Sequence, residues 1–150
     1  MPVVIEQRVE LTGSPGVVFA FLTDPARRPE WDAACLRCDL EGERPAVGVR
    51  VRLTGRGMAP SWLGEYVDFR PARSASIRLI EGQGMPFRSY AETTTVQVRK
   101  GGCTVTLRYE YEVSGLARFI EPLTVRSKLR RVARRSAGNL TKQLGSAAPT

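Results

Sequence analysis

From Cys103 to Val113 the chain alternates without a fault. Val105, Leu107, Tyr109, Tyr111 and Val113 fall on one face, and Thr104, Thr106, Arg108, Glu110 and Glu112 on the other. A period of two is a strand with one face buried and one face in water. This is the last of a series. Segments 34–40, 47–53, 62–70, 74–81 and 87–99 show strand patterning, and turn residues separate them: Glu41-Gly42, Gly55-Arg56-Gly57, Arg70-Pro71, Gly82-Gln83-Gly84 and Lys100-Gly101-Gly102. Connections this short join antiparallel neighbours. A sheet of this size must cover its apolar face. The element of matching length is the stretch 116–144, where Leu116, Ile120, Leu123, Leu129, Val132, Ala133, Leu140 and Leu144 recur at helical spacing and Pro122 and Gly138 should kink or loosen it.

The beginning of the chain completes the order. Ile5, Val9 and Leu11 alternate with Glu6, Arg8 and Glu10 as a first strand that stops at Thr12-Gly13. Ser14 is placed to cap a helix with Pro15 at its first position, and Val17, Val18, Phe21 and Leu22 supply its apolar face. Asp24-Pro25 breaks it, leaving room for one short further turn ending near Trp31. The expected fold is α+β: a seven-stranded curved antiparallel sheet, two short N-terminal helices and one long C-terminal helix. A curved sheet around one helix leaves room for a ligand cavity between them. The 150 residues form one domain over 1–144, with 145–150 as a flexible tail.

Composition excludes several chemistries. There is no histidine, which removes Ser-His-Asp and Cys-His sites and histidine-ligated metals. Cys35-Leu36-Arg37-Cys38 is read as ordinary strand residues, because positions three apart in a strand point to opposite faces and too few further ligands remain for zinc. The glycine-containing turns lack the strand-to-helix context of a phosphate loop, and no serine sits in a nucleophile elbow. No cofactor or metal is expected. Three cysteines suit a reducing compartment. The first residues lack a secretory pattern, and no apolar run approaches the roughly 20 residues of a membrane span, so a cytoplasmic location is expected.

The order of elements resembles the START/Bet v 1-like superfamily, the helix-grip proteins that include polyketide cyclases and small lipid carriers. The stretch Ser14-Pro15-Gly16-Val17-Val18-Phe19-Ala20-Phe21-Leu22-Thr23-Asp24-Pro25, running on to Pro29-Glu30-Trp31-Asp32, is similar to that family's first helical segment. Val47-Gly48-Val49-Arg50-Val51 is similar to its third strand, and Gly101-Gly102-Cys103-Thr104-Val105-Thr106-Leu107 to its last hairpin. The resemblance implies the fold and a small hydrophobic or polyketide-like ligand. It carries over no catalytic set.

Hairpin arithmetic then selects polar groups inside. A two-residue turn at Lys100-Gly101 or Gly101-Gly102 puts Tyr90, Glu92 and Thr94 on the face of Leu107, Tyr109 and Tyr111, whereas a three-residue loop would flip the assignment. Glu92 is thus the candidate acid–base group among tyrosines, against the plainer reading of a wet carboxylate paired with an arginine. Glu65 and Val67 are further inner-face candidates on the parity of Leu63 and Phe69, and Leu123 is the expected contact from the helix. These residues suit either a carrier or a cyclase/dehydratase. A third reading rests on charge. Segment 115–144 holds eight basic residues and one acid, nearly all of the chain's net +8. That face either is simply solvated or meets nucleic acid or an anionic membrane. A homodimer is left open.

Overall fold

The structure, a computed structural model, describes residues 2–82 and 84–145. Gln83 of one expected turn and 146–150 of the expected tail lie outside the described residues. The chain runs β1 (Val3–Leu11), α1 (Pro15–Thr23), α2 (Arg28–Trp31), β2 (Cys35–Leu40), β3 (Arg50–Gly55), β4 (Trp62–Arg70), β5 (Ser74–Gly82), β6 (Phe87–Arg99), β7 (Gly102–Val113), a 3-10 turn over Gly115–Phe119, and α3 (Val125–Leu144). All seven strands form one curled antiparallel sheet in the order β1-β7-β6-β5-β4-β3-β2. Strands β1 and β7 meet although they lie at opposite ends of the sequence. This is the α+β helix-grip architecture.

The β6–β7 hairpin turns on Lys100-Gly101, with Arg99 paired to Gly102 and Gly101 at φ 82°. Only glycine takes that conformation without strain. The two-residue turn sets the register, so Val96 pairs with Val105, Glu92 with Tyr109 and Tyr90 with Tyr111. Cys103, Val105, Leu107, Tyr109 and Tyr111 are all buried, as the alternation requires.

Helix α3 packs on β1, β7 and α2, along one side of the curl. It buries Ala133, Ser136, Ala137 and Leu140, spaced i, i+3, i+4 and i+7. Helix α1 packs over β6 and its Phe19 meets Phe69 edge-on at 5.4 Å. Among the described residues no helix is long and apolar enough to cross a membrane.

Four local expectations are corrected. First, α3 begins at Val125, after Pro122, whose ring removes a donor and restricts Glu121. The preceding apolar residues therefore do not join its buried stripe: Leu116, Ile120 and Leu123 are exposed. The helix continues unbroken through Gly138. Second, Ser14 sits at the cap of α1 in extended conformation, yet its hydroxyl makes no capping bond; Phe19 is buried and Val17 is exposed. Third, β3 starts only at Arg50, because Ala46–Val49 is a turn closed by Val49 N–H donating to Ala46 O (3.0 Å), with Gly48 at φ 89°. Fourth, a register shift between Cys35 and Arg37 turns Cys35 and Cys38 to the same inner side, where an unbroken strand would have separated them.

Candidate functional site

The register brings Ile5, Tyr109, Glu92, Ile77 and Tyr66 into one row across the inner face, on β1, β7, β6, β5 and β4. Glu92 is the one carboxylate in that row. Helix α2 comes over the sheet beside it. Arg28 opens α2 and Asp32 closes it, one helical turn apart, so both side chains point the same way. Arg28 Nε donates to Asp32 Oδ2 (2.8 Å), and Arg28 Nη2 donates to Glu92 Oε1. The hydroxyl of Tyr90 donates to the other oxygen of Glu92 (2.5 Å). The Arg28 guanidinium lies 5.1 Å from the centre of the Trp31 ring. Asp32 Oδ1 accepts from the Ala34 N–H (3.0 Å), which ties off the end of α2.

Helix α3 closes the site from the far side. Ser136 Oγ accepts the Ala33 N–H (3.0 Å) and lies near the Tyr109 hydroxyl. One turn on, Asn139 Nδ2 donates to Trp31 O (3.1 Å). The α2 segment is thereby fastened to the helix as well as to the sheet.

Electrostatically the cluster holds one guanidinium and two carboxylates. Burial raises the Glu92 carboxyl above its ordinary value, the nearby Asp32 charge adds to this, and Arg28 and Tyr90 oppose it. Burial would lower Arg28, but Asp32 and Glu92 together raise it. Burial also raises the Tyr90 and Tyr109 hydroxyls. Glu92 is therefore a carboxyl group that keeps a proton more readily than usual, in contact with a phenol that stays protonated.

Aromatic rings occupy the space beside this cluster. Phe87 stacks on Tyr90 (4.8 Å), Trp62 meets Tyr90 edge-on (5.3 Å), and Phe87 leans on Tyr111 (5.2 Å). Gly64 leaves room for this arrangement, since a Cβ there would stand 2.8 Å from the Trp62 ring and 2.4 Å from Ile77. Two grooves open beside this region. One, of about 530 Å3, runs between the Asp24–Pro29 segment and β2 and reaches Cys38. The other, of about 290 Å3, lies between β1 and α3 beside Ile5 and Ala133.

Of the residues expected at the site, Tyr90, Glu92, Tyr109 and Tyr111 are brought to the inner face, together with Leu107 and the half-buried Thr94. Three are not. A bulge at Val67 shifts the register between Tyr66 and Asp68, so Trp62, Tyr66 and Phe69 share the inner side. Glu65 instead lies level with Arg50 and Arg78 and pairs with Arg78 on the outer face (3.7 Å), and Val67 is exposed. Leu123 is 83% exposed on the segment before α3.

The sequence reading missed Arg28, Asp32, Ser136 and Glu121. The first two carried a signal: an Arg–Asp pair four apart inside a stretch already matched for its Pro and Trp. Glu121 is buried, accepts the Tyr111 hydroxyl (2.9 Å) and is gripped by Arg126 (2.6 and 3.1 Å). Burial opposes its ionisation, but the hydrogen bonds from Arg126 and Tyr111 hold its pKa below the ordinary value. Among the described residues no cluster of three or more acidic, cysteine or histidine side chains is placed to hold a metal. Cys35 and Cys38 are thiols pushed up by burial to about 12 and about 11.

Sheet, gripping helix and inward polar cluster together define a helix-grip protein of the START/Bet v 1-like superfamily. Within it, the chain belongs to the polyketide cyclase / dehydrase and lipid transport family, whose profile matches residues 2–145. Among solved structures it is similar to the di-domain ARO/CYC StfQ from the steffimycin biosynthetic pathway, at 18% identity and a TM-score of 0.74, covering 98% of this chain and 50% of that one. Ginseng major latex-like protein 151 from Panax ginseng is similar at 18% identity and a TM-score of 0.73, covering 96% and 98% of the two chains. Norcoclaurine synthase from Thalictrum flavum is similar at 18% identity and a TM-score of 0.68, covering 95% of this chain and 88% of that one. None of the curated proteins compared with the chain matches it.

Proposed function

We propose that the protein binds a small hydrophobic, polyketide-like molecule between the sheet and α3, with the molecule's polar end against Glu92, Tyr90 and Arg28. One observation carries this reading: a carboxyl bonded to Tyr90 and Arg28 stands in a row of apolar and aromatic side chains on the inner face of the sheet. Family membership supports the ligand class. Aromatic walls supply area and shape, while one polar cluster supplies orientation. The Trp62, Phe87 and Tyr90 rings, packed on one another beside Glu92, would form part of that wall.

A second reading is favoured by the state of Glu92. A carboxyl that titrates above its normal range beside a phenol can take a proton from carbon and return one to a leaving oxygen. In a cyclase or dehydratase the walls would hold a reactive chain bent, Glu92 would move the proton, and Arg28 would steady the negative charge of its base form.

The test is native mass spectrometry of protein purified from its own host, followed by solvent extraction. The proposal expects one small apolar molecule per chain, with much less of it carried by Glu92→Gln. Extraction of a ligand whose occupancy Glu92→Gln leaves unchanged would contradict the role assigned to the cluster.

A further inference from the structure

In the eight residues 116–123, shortly before α3, Leu116, Phe119, Ile120 and Leu123 are 82, 69, 56 and 83% exposed. They form an apolar tip on the connection between β7 and α3. A loose loop would scatter such residues, but this segment is anchored. Its Glu121 is buried on Tyr111, Arg126 holds both Glu121 oxygens, and the backbone from Ile120 to Thr124 is closed by turn hydrogen bonds. Immediately beyond the tip come Lys128, Arg130, Arg131, Arg134 and Arg135, all exposed, within the first three turns of α3. At 1.5 Å per residue they lie within about 15 Å of the helix start. Four exposed large apolar side chains therefore adjoin five exposed cations.

We propose that this tip docks on an anionic lipid surface, the four apolar side chains entering the headgroup–acyl boundary while the α3 cations meet lipid phosphates. Each half of the patch selects against other occupants. A second copy would cover the apolar residues but add the same positive charge and supply no anion to the α3 cations. A nucleic acid would neutralise the cations and leave Leu116 and Leu123 in water. A membrane carrying negative headgroups offers apolar depth and negative charge together. The inference does not depend on the ligand site, because neither Leu116, Leu123 nor the α3 cations take part in the Glu92 cluster.

The experiment is co-sedimentation of the full chain with vesicles of phosphatidylcholine alone and of phosphatidylcholine mixed with phosphatidylglycerol, at low and high salt. The wild type should bind the mixed vesicles, lose most of that binding in high salt, and ignore pure phosphatidylcholine. Both Leu116→Ser/Leu123→Ser and Lys128→Glu/Arg131→Glu should weaken binding to mixed vesicles by about tenfold or more. All four positions are surface sites, and an unchanged thermal melt confirms that the fold is intact. No binding to mixed vesicles overturns the proposal. So does binding that Leu116→Ser/Leu123→Ser leaves undiminished, which would mark a purely electrostatic polyanion site. Concentration-dependent dimerisation that Leu116→Ser/Leu123→Ser abolishes, without vesicle binding, would assign the tip to a second copy instead.

Discussion

Arg28 and Glu92 are 64 residues apart in the chain and form a largely buried ion pair in which the guanidinium on α2 reaches the carboxylate on β6. Asp32 claims the same guanidinium. One cation therefore serves two acids; burial lifts Glu92, and the nearby charge of Asp32 adds to it.

Removing the cation should be costly. Arg28→Met leaves Asp32 and Glu92 with only the Ala34 N–H and the Tyr90 hydroxyl and no counter-charge, and breaking a buried pair typically costs about 3–5 kcal/mol. The double variant Arg28→Met/Glu92→Gln should recover part of that loss, because one of the two stranded charges is gone. Urea unfolding of the two single variants and the double variant measures this. Equal destabilisation of Arg28→Met and the double variant would remove the coupling.

The two buried glutamates should respond to pH in opposite senses. Glu92 is raised in the folded state, so its contribution is fully present below the ordinary value of 4.5 and is lost as pH rises through the folded value. Glu92→Gln should therefore gain stability relative to the wild type as pH climbs from acid to neutral. Glu121 is lowered, so its contribution is present above 4.5 and is lost as pH falls through the folded value. Glu121→Gln should lose stability relative to the wild type over the same climb. Denaturant unfolding from about pH 2.5 to about pH 8 checks both signs, Glu121 below 4.5 and Glu92 above it.

Truncating Glu121 strands a fully buried hydroxyl. Glu121→Ala leaves Tyr111 without its acceptor, at a cost of about 1–3 kcal/mol. It should also release the apolar tip from the sheet. Hydrogen exchange should accelerate across 115–125 before any global loss of protection, and uniform exchange would contradict that.

Between β4 and β5, Arg73 N–H donates to Arg70 O (2.9 Å), with Pro71 and Ala72 at the centre and Ala72 at φ 61°. A proline followed by a positive φ is a type II turn that favours glycine at the second position. Ala72→Gly should stabilise the protein by about 1 kcal/mol, from relief of left-handed strain offset by extra freedom in the unfolded chain. Thermal unfolding measures it.

Cys35 and Cys38 should be slow nucleophiles, since burial keeps their protons on until about 12 and about 11. At pH 8 a disulfide reagent should react with them much faster in urea than in the folded protein. Equal rates would show that β2 is open.

The hairpin and the last strand were legible because their side-chain period and their glycine turn act locally and agree. That parity alone placed Glu92 among Tyr90, Tyr109 and Tyr111. Glu65 and Val67 were misplaced because a bulge is a single extra residue with no compositional mark, and it reverses every side chain beyond it. Cys35 and Cys38 were separated for the same reason. Leu116, Ile120 and Leu123 keep helical spacing, but Pro122 decides where the helix starts and so strips them of a buried partner. The Arg28–Glu92 pair joins two distant segments through tertiary packing, which no periodicity reports.

The most direct test of the account is an NMR titration of the methyl-labelled protein with a dihydroxynaphthalene as a stand-in for a polyketide-like ligand. The account predicts shifts concentrated at Ile77 and Leu107, on the inner face beside Glu92, and at least about tenfold weaker binding to Glu92→Gln, the loss expected for a charge-assisted hydrogen bond. Shifts confined to Leu36 and Leu40 in the outer groove, or affinity that Glu92→Gln leaves unchanged, would contradict it.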